Sequence, residues 1–414
     1  MSGKHNYTIH VPGGRSDLDM SRYAAIIERP EMQRLKDVQQ VPFADFVYPM
    51  FTHDRLEHSL GTFYMASISA DILGLGEEDA EILKVASLIH DTGHSALSHV
   101  MECITGEKNN NVSAENVRKM SDAISGVSDP EKVIEAIAKN GHYLSHAIST
   151  IFGTDKLDYM YRDAFYAGIK GFGKNSMKIL HDALLVDTDS GKQYCVSMRA
   201  ADAVSDYIRL WEKLRNDVYF NPETIKARAM AERAALSELS GSDEKSLLGM
   251  TDDELYSRLA ESGNPVVRNI IWMIGRKETY DTVLGFKKNG HTDTGHEFPT
   301  YAIGDVDTEK ILWDFENTER KERELADSFG IPYGTLILSP GMIASHISPR
   351  DKGGLMLGHD NKISKFEDVF SDEINWADRQ SDMKYIFQVT ADPAYRDAVV
   401  SGFSGRDPRE LVFS

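Results

Sequence analysis

The chain has 414 residues and carries 65 acidic against 46 basic side chains, a formal net charge of −19. That length suits one large domain or two to three smaller ones, and it is sufficient to bury a core without disulfides. A composition of 41% apolar and 27% charged residues is typical of globular proteins and excludes collagen-like and disordered classes. The acidic balance argues against nucleic acid or an anionic membrane as a general partner.

Apolar runs and cysteines narrow the cellular setting. No apolar run approaches the roughly 18 residues of a membrane helix, and residues 1–20 lack the apolar segment of a secretory signal. The two cysteines, Cys103 and Cys195, lie far apart, which fits a reducing compartment and excludes a disulfide framework or a CxxC zinc site. We therefore expect a cytoplasmic protein with no membrane partner.

The first two thirds of the chain carry the apolar periodicity of α-helices. Residues 1–20 are polar and marked by Gly and Pro, and we interpret them as an N-terminal arm. From there on, apolar residues recur at three- and four-residue spacing, which predicts helices. These helical stretches are residues 23–44, 60–75, 80–99, 143–172, 176–186, 198–219 and 222–239. Residues 106–113 are polar and Asn-rich and predict an exposed loop.

Three short signals mark the ends of helices. Gly74 resembles a C-cap, and the acidic residues that follow Gly76 are typical of a helix start. Asp129 followed by Pro130 predicts an N-cap with proline in the first turn. Thr251, with Glu254 three residues later, predicts a capping box.

The last third of the chain has a different pattern. Residues 335–338 and 384–389 are short β-rich runs, and residues 300–303 are a weaker strand candidate. Helices are expected around residues 308–329, and residues 353–358 are expected to form a loop. The fold class is therefore mainly α, with a small C-terminal α+β module. We divide the chain into an arm (1–20), a helical core (21–230), a helical extension (231–325) and the α+β module (326–414).

The residues that carry chemistry are concentrated between His53 and His146, where seven of the fourteen histidines lie. His90 and Asp91 end an apolar helix and offer an imidazole and a carboxylate to one side of a site. His58 and Asp155 are the natural additional ligands from elsewhere. Two His and two Asp suit a divalent metal and leave coordination positions for water and a phosphate oxygen.

The His-Asp pair alone does not establish a metal site, because a histidine on an apolar helix is more often a core residue. His94 and His99 follow His90 at +4 and +9, which on one continuous helix would place His94 on the face of His90 and His99 on the opposite one. Gly93 can break the helix, so the period alone does not place His99.

The order and spacing of these segments resemble the HD-domain phosphohydrolases, and within them the deoxynucleoside triphosphate triphosphohydrolase branch that includes the SAM-and-HD-domain proteins. The matching motifs are Arg55-x-x-His58, His90-Asp91 and the DxLDYxxRD-like run from Asp155 to Asp163. Residues 30–35 with Gln40, and residues 47–49, resemble the N-terminal signature of the family. The resemblance covers residues 26–219 and implies an HD-type helical body.

The resemblance implies a metal centre and a phosphate site. One divalent ion (Mn, Fe, Co, Ni, Mg or Zn) would be held by four ligands: His58, His90, Asp91 and Asp155. Arg55 and Lys156 would face the substrate phosphates, since a guanidinium grips phosphate bidentately and an ammonium acts as a point charge. His94 and His99 would lie against the scissile α-phosphate and its 5′ oxygen.

The resemblance also implies a sugar site. Gln40, Tyr159 and Asp163 would approach the deoxyribose, with Asp163 accepting from the 3′-hydroxyl, and Tyr219 would close the pocket. For each of these residues a surface charge or a core ring is the alternative.

Two departures from the family pattern bear on the mechanism. Ala114 stands where relatives carry the His of a His-Glu pair, so the general-acid role would pass to His99, with Glu102 keeping it charged, or to His142 or His146. Trp211 stands where relatives carry an Arg, eight residues before Tyr219. Arg209 and Arg215 flank that position, and either could reach a phosphate.

The function that the resemblance implies is metal-dependent hydrolysis of deoxynucleoside triphosphates (dNTPs) to deoxynucleoside and inorganic triphosphate. Water activated by the metal would attack the α-phosphorus. The alternatives are an HD-type nucleotide phosphatase or phosphodiesterase that releases phosphate, and a catalytically degenerate nucleotide sensor. Relatives also suggest a homo-oligomer, a dimer or tetramer. An allosteric nucleotide could bind at Lys287-Lys288 or Arg320-Lys321, although these basic pairs are short and more often solvated.

Overall fold

The computed structural model describes residues 6–11, 14–105, 109–138, 142–170, 173–287, 298–303, 315–340, 349, 353–381 and 385–413. Over these residues the fold is mainly α with small sheets, which confirms the predicted class. The α-helices are Ala24–Ile27, Pro30–Gln33, Arg55–Ile72, Glu77–Ile89, Glu102–Thr105, Asn109–Lys119, Ser121–Ile124, Pro130–Ile137, Ser145–Ser149, Thr154–Tyr166, Gly173–His181, Ala201–Leu214, Pro222–Leu239, Glu244–Leu248, Asp252–Ala260, Pro265–Gly275, Phe315–Phe329, Phe366–Val369, Ser371–Ser381, Arg396–Phe403 and Pro408–Phe413. A π-helical turn, Arg215–Tyr219, extends the helix Ala201–Leu214.

The described strands form a hairpin and two four-stranded sheets. The hairpin, Asn6–Val11 with Gly14–Asp19, lies within the predicted arm. The first sheet has the order Ala183–Thr188, Gly191–Ser197, Leu355–Leu357, Ile363–Lys365. The second has the order Thr300–Ala302, Asp281–Lys287, Tyr385–Ala391, Leu336–Pro340. The second and third strands of the first sheet pair in parallel, as do the first two of the second sheet.

Side-chain caps explain where several helices begin. The Asp54 side chain accepts from the backbone N–H of Glu57 and caps the helix Arg55–Ile72. The predicted N-cap at Asp129 and the predicted capping box of Thr251 with Glu254 are both present. Gly74 has a φ of +61°, the left-handed conformation expected after a helix end.

Several local predictions were wrong for identifiable reasons. The helix predicted over 80–99 ends at Ile89, because the next residues turn to form the site described below. The loop predicted over 106–113 is helical from residue 109, where the helix Asn109–Lys119 begins, with Val112 and Val117 buried despite their polar neighbours. Residues 106–108 lie outside the described residues. Residues 183–186 continue into a strand, not a helix, and Leu355–Leu357 is a strand because it pairs with Val196 and Ser197.

Three buried clusters make up the core. The largest joins the helices from residue 24 to residue 218 and includes Met356, Phe366 and Phe370. A second cluster joins the helices between residues 227 and 274, and a third fills the second sheet and its helices. Residues 353–381, which the sequence placed in the C-terminal module, therefore pack on the helical core. The four-part division of the chain itself stays a prediction.

No helix among the described residues combines the length and apolar character needed to cross a membrane.

Candidate active site

The four predicted metal ligands lie on three different elements that meet at one point. His58 is in the first turn of the helix Arg55–Ile72, and Asp155 is in the first turn of Thr154–Tyr166. His90 and Asp91 follow the last residue of Glu77–Ile89 directly. Because the helix Arg55–Ile72 contacts both others, residues distant in sequence converge there.

The distances between these side chains fit a shared cation. His58 Nε2 lies 3.3 Å from Asp155 Oδ1 and 3.7 Å from Asp91 Oδ2. His90 Nε2 lies 3.3 Å from Asp91 Oδ1 and 3.6 Å from Asp155 Oδ1. Ligand atoms of His58, His90 and Asp155 all lie within 4.8 Å of one another.

Two buried nitrogen atoms in this cluster lack a hydrogen-bond partner within the described chain, His58 Nε2 and His90 Nε2. A buried polar atom without a partner is costly, and a metal ion would satisfy both. Two imidazoles and two carboxylates are the donor set of a divalent transition metal or Mg²⁺. The residues present therefore fit a divalent metal.

The remaining nitrogen of each imidazole is held by a hydrogen-bond acceptor. His58 Nδ1 lies 2.8 Å from Asp158 Oδ2, and His90 Nδ1 lies 2.9 Å from the carbonyl oxygen of Ser87. A carbonyl or ionised carboxylate only accepts, so each Nδ1 carries the proton and donates. Both Nε2 atoms are thereby presented to the metal site.

Burial and neighbouring charges shift the pKa values of the residues in the site. Burial alone would lower the pKa of His58, but the carboxylates of Asp155, Asp158 and Asp91 outweigh it and raise that pKa to about 10. Burial opposes the ionisation of Asp91 and Asp155, yet neighbouring cations hold both pKa values well below their ordinary range. The leading cations are His90 and Arg55 at Asp91, and Lys156 at Asp155.

A buried ion-pair chain supports His58 from behind. Asp158 accepts from Arg162 Nη2 at 2.9 Å, and Arg162 Nη1 donates to Glu57 Oε1 at 2.6 Å. Gly61 makes room for this chain, because a Cβ there would lie 2.0 Å from Arg162 Nη2 and 2.1 Å from Asp158 Oδ1. Sequence analysis assigned no role to Arg162 or Gly61, although both lie within the matched segments.

A cavity of about 440 Å³ opens at the four predicted metal ligands, which together are called the metal cluster below. It is lined by ten of the residues predicted from sequence: Gln40, Arg55, His90, Asp91, His94, Asp155, Lys156, Tyr159, Asp163 and Tyr219. Apolar side chains complete its walls: Val41, Pro42, Phe43, Leu97, Val100, Ile137, Ile148 and Phe220.

The two predicted phosphate-binding cations face metal-ligand carboxylates. Arg55 Nη1 donates to Asp91 Oδ2 at 2.5 Å, and Lys156 Nζ donates to Asp155 Oδ2 at 3.2 Å. Arg55 is also fixed by Ser98, whose Oγ accepts from its Nε at 2.8 Å. Both cations are therefore held beside the metal cluster.

Away from the metal, Asp163 lies among polar partners. Tyr219 donates its hydroxyl to Asp163 Oδ2 at 2.5 Å, and His53 Nε2 lies 2.9 Å from Asp163 Oδ1. Burial, and then the Asp163 carboxylate, hold the pKa of Tyr219 well above its ordinary value, so the phenol remains a donor. His53, which sequence analysis did not single out, stacks on Tyr166 with ring centroids 4.5 Å apart.

Four predicted residues are not among the described side chains that line this cavity: His99, Glu102, Arg209 and Arg215. Arg209 pairs with Asp206 on an exposed surface, and buried Arg215 donates to the carbonyl oxygen of Ala377. Although Arg209 and Arg215 flank Trp211 in sequence, neither lies on the side of its helix that faces the cavity. The side chains of His99 and Glu102 lie outside the described part of the structure. Their proposed acid role stays a prediction.

The structure also shows what surrounds Ala114, the residue that stands where relatives carry a His. Ala114 is half-buried on the helix Asn109–Lys119, next to Ser113, whose hydroxyl donates to the His90 carbonyl. His142 and His146 are not among the residues that line the cavity. Among the described lining residues, His94 is the one histidine besides the predicted metal ligand His90. Its Nε2 lies 3.4 Å from Asp91 Oδ1.

Residues that follow Tyr219 in sequence complete the site and were missed by sequence analysis. Thr224 and Arg228, on the helix Pro222–Leu239, line the cavity. Asp252 accepts from the backbone N–H of Leu97 at 2.7 Å and of Gln39 at 2.9 Å. These contacts span 155 and 213 residues of sequence, so no local signal could have predicted them.

Comparisons with known proteins agree with this geometry. Residues 55–205 match the family model of the HD domain. An uncharacterized protein of Methanocaldococcus jannaschii is 27% identical over 263 residues, covering 63% of this chain and 56% of that protein. The deoxynucleoside triphosphate triphosphohydrolase SAMHD1 of Homo sapiens is 36% identical over 84 residues, 19% of this chain and 13% of that protein. The chain thus spans about half or less of the length of these curated relatives.

Solved structures show the same architecture. A phosphohydrolase from Bacteroides thetaiotaomicron superposes with a TM-score of 0.67 at 17% identity, covering 93% of this chain and 97% of that one. Residues 55–205 of the chain are an HD domain. Deoxynucleoside triphosphate triphosphohydrolases are among the relatives of the chain, and it shares its fold with a phosphohydrolase, which confirms the resemblance stated from sequence.

Proposed function

We propose that this protein is a metal-dependent triphosphohydrolase that converts dNTPs to deoxynucleoside and inorganic triphosphate. The observation that carries the proposal is the stripe Asp155, Tyr159 and Asp163 along one helix of the cavity wall. Residues four apart share a face, and eight residues of helix span about 12 Å. A metal-bound α-phosphate at Asp155 would therefore place its sugar beside Tyr159 and Asp163.

The bound metal would supply an activated water and polarise a phosphoryl oxygen. His58, His90, Asp91 and Asp155 would hold it, with their Nε2 atoms and carboxylates already converged. Arg55 and Lys156 would offset the charge that grows on the phosphates during attack. Buried His94 would lie against the scissile phosphate, and a protonated imidazole, His94 or His99, would donate to the leaving 5′ oxygen.

The sugar would be recognised by shape and by one carboxylate. The half-buried ring of Tyr159 would pack against the deoxyribose, and Asp163 would accept from the 3′-hydroxyl while Tyr219 donates to its other oxygen. Gln40 lines the same cavity. This sugar pocket, beside cations for several phosphates, favours a nucleoside triphosphate over the small substrate of a simple phosphatase.

Partners and setting form part of the same proposal. We expect a cytoplasmic homo-oligomer, a dimer or tetramer, with no membrane or nucleic-acid partner. Arg320 and Lys321, one of the basic pairs proposed for an allosteric nucleotide, lie on the helix Phe315–Phe329 and pair with Glu324. Lys288 lies outside the described residues.

A product analysis tests the proposal. The protein would be incubated with Mn²⁺ or Co²⁺ and each dNTP, singly and mixed, and its products separated by anion exchange. Triphosphate with deoxynucleoside supports attack at the α-phosphorus, and activity only in the mixture also indicates a nucleotide activator. Stepwise release of phosphate supports a phosphatase instead, and tight binding without turnover supports a sensor. Asp91→Ala is the control, expected to abolish turnover while the protein stays folded by circular dichroism.

A further inference from the structure

The charges around the cavity leave part of a triphosphate unmatched. Three cations are among the described lining residues: Arg55, Lys156 and Arg228. The first two also pair with Asp91 and Asp155, the carboxylates of the predicted metal ligands, so they can offset only part of the phosphate charge. A nucleoside triphosphate carries about four negative charges at neutral pH, and charged groups leave water only when they are paired. The phosphates beyond the metal therefore need further donors.

One helix presents suitable donors on its cavity side. Thr224 and Arg228 lie four residues apart on Pro222–Leu239, so both side chains share a face, and both line the cavity. Thr224 is the third residue of this 18-residue helix, in the turn whose N–H groups lack intrahelical acceptors and which carries the positive end of the helix dipole. Such a turn favours phosphate oxygens.

A second, independent observation points to a ligand at this turn. Thr224 is only 4% exposed, and its Oγ1 has no hydrogen-bond partner in the described part of the chain. A buried hydroxyl without a partner is destabilising, and a bound acceptor would recover that free energy. Because Thr224 is one of the residues that line the cavity, that acceptor can come from a molecule inside the cavity.

Arg228 lines the cavity and is also half exposed, so a polyphosphate that extends from the metal toward solvent could reach it. Its side chain is 48% exposed, and its Nε pairs with Glu232 Oε1 at 2.7 Å on the same helix. Glu232 is only 14% exposed, but solvent screens a pair whose guanidinium is half exposed, so Arg228 can exchange this partner for a stronger one. A guanidinium binds phosphate bidentately, which makes Arg228 suited to a terminal phosphate.

We propose that Thr224 and Arg228, with the first turn of their helix, form a subsite for the terminal phosphates of a polyphosphate substrate. This inference rests on the proposed triphosphohydrolase function and deepens it, because a subsite beyond the α-phosphate distinguishes nucleoside triphosphates from monophosphates. Recognition of the base by the same two side chains is the competing role.

The test compares ligands that differ in their distal phosphates. With Mn²⁺, KM and kcat would be measured for a dNTP, together with inhibition constants for inorganic triphosphate and for the matching dNMP. Arg228→Gln is expected to raise KM and the triphosphate inhibition constant about 10–100-fold, since hydrogen bonds to charged groups contribute about 1.5–3 kcal/mol. The dNMP inhibition constant should stay within about twofold.

Conservative variants separate lost chemistry from lost structure. Arg228→Lys should give an intermediate loss of triphosphate affinity, because lysine keeps the charge but cannot bind phosphate bidentately. Thr224→Val should cost about 2–10-fold in triphosphate affinity, and Thr224→Ser should retain it. Arg199→Gln, which removes an exposed guanidinium paired with Asp182 outside the cavity, is the matched control.

Two outcomes overturn the subsite. Equal weakening of triphosphate and dNMP would show a general distortion, and an altered preference among the four bases with unchanged triphosphate affinity would show base recognition. Either result, obtained with an active wild-type enzyme, leaves the proposed function standing. A wild-type protein that neither hydrolyses dNTPs nor is stabilised thermally by inorganic triphosphate would overturn both proposals together.

Discussion

The imidazole of His58 is oriented by Asp158, whose Oδ2 lies 2.8 Å from its Nδ1, so that Nε2 faces Asp155 at 3.3 Å. Asp158 is fully buried, and burial alone would raise its pKa. Arg162 and His58 instead lower it, so the carboxylate stays ionised and acts only as an acceptor. The proton is thereby held at Nδ1, and the orientation of this predicted metal ligand depends on a residue outside the four predicted ligands.

Asp158→Asn should weaken metal binding by about 10–100-fold, the usual cost of losing the acceptor behind a metal-bound histidine. The amide keeps the size of the side chain but loses the charge that stabilises both His58 and Arg162. A competition titration with a chromophoric chelator would measure the affinity. Asp71→Asn, at an exposed position on the same helix as His58, is the control and should bind metal as the wild type does. Equal affinity of both variants would contradict the role of Asp158.

Metal affinity should rise with pH because the ligands must lose protons. The pKa of His58 in the metal-free protein is raised to about 10, and that of His90 is also raised against the effect of burial, so protons compete with the metal at neutral pH. Affinity should therefore increase on the order of tenfold per pH unit for each proton displaced. Calorimetry in two buffers of different ionisation enthalpy would count the protons, and binding without proton release would contradict the prediction.

The same pKa shift predicts the behaviour of the metal-free protein. A folded-state pKa above the ordinary value of about 6.5 means that His58 stabilises the fold fully below pH 6.5. That contribution is lost as the pH rises through about 10. In chelator, the Tm should therefore fall between pH 7 and pH 10, and added Mn²⁺ should reduce the fall. A Tm that is flat over this range would be inconsistent with the assignment.

Asp163 should give the site its dependence on the 3′-hydroxyl. Its Oδ2 accepts from Tyr219, and its Oδ1 lies 2.9 Å from His53 Nε2. Because a carboxylate oxygen has two lone pairs, we expect Oδ1 to accept from the sugar as well. The wild type should prefer a dNTP over the 2′,3′-dideoxy analogue by about 10-fold in kcat/KM, from one hydrogen bond to a charged group. Asp163→Asn should reduce that preference to a few-fold. An unchanged ratio would place the 3′-hydroxyl elsewhere.

The candidate metal centre could be predicted from sequence because its signals are local. A His-Asp pair, an Arg-x-x-His motif and a later Asp each belong to one short segment, and the structure brings all three together. Each predicted strand run, at residues 300–303, 335–338 and 384–389, overlaps a strand for the same reason. Local periodicity and β-branched composition were sufficient there.

What escaped prediction depends on contacts between distant parts of the chain. The strand Leu355–Leu357 exists because it pairs with Gly191–Ser197, about 160 residues earlier, and a Gly-rich sequence gives no sign of this. Arg209 and Arg228 look alike in sequence, yet only the helix packing determines that Arg228 lines the cavity. Helical periodicity predicts which residues share a face but not what that face meets.

Asp252 should position two segments of the active site from outside it. One carboxylate oxygen accepts from Leu97, in the turn before Ser98, and the other accepts from Gln39, beside Gln40. Leu97 and Ser98 both have positive φ, a strained conformation for residues other than glycine that these contacts help to hold. Asp252→Ala should therefore lower kcat for all four dNTPs and lower the Tm, because two buried N–H groups lose their acceptor at about 1–3 kcal/mol each.

Metal affinity distinguishes this positioning role from general unfolding. It should stay within about twofold in Asp252→Ala, since Asp252 does not contact the metal ligands. Asp253→Ala, an exposed neighbour on the same helix, should match the wild type in every measurement. Loss of metal binding together with activity would show that Asp252 supports the whole fold instead.

The buried pair of Arg233 and Glu322 joins the helix Pro222–Leu239 to the second sheet, and it should make the stability of this junction depend on pH. Glu322 accepts from Arg233 Nη2 at 2.7 Å and from the backbone N–H of Leu338 at 2.9 Å. Burial raises its pKa to about 7, although Arg233 opposes the shift. The folded state therefore binds this proton more tightly than the unfolded chain. Stability from Glu322 is fully present below its ordinary pKa and is lost as the pH rises through about 7.

The comparison with Glu322→Gln isolates this effect, because the amide cannot ionise. The Tm of the variant relative to the wild type should increase between pH 5 and pH 8, whatever the offset caused by leaving Arg233 without a charged partner. Glu324→Gln, exposed on the same helix, should show no such trend. Differential scanning calorimetry across the range would measure it. A Tm difference between wild type and Glu322→Gln that is constant or falls with pH would mean that Glu322 is ionised throughout, held by Arg233.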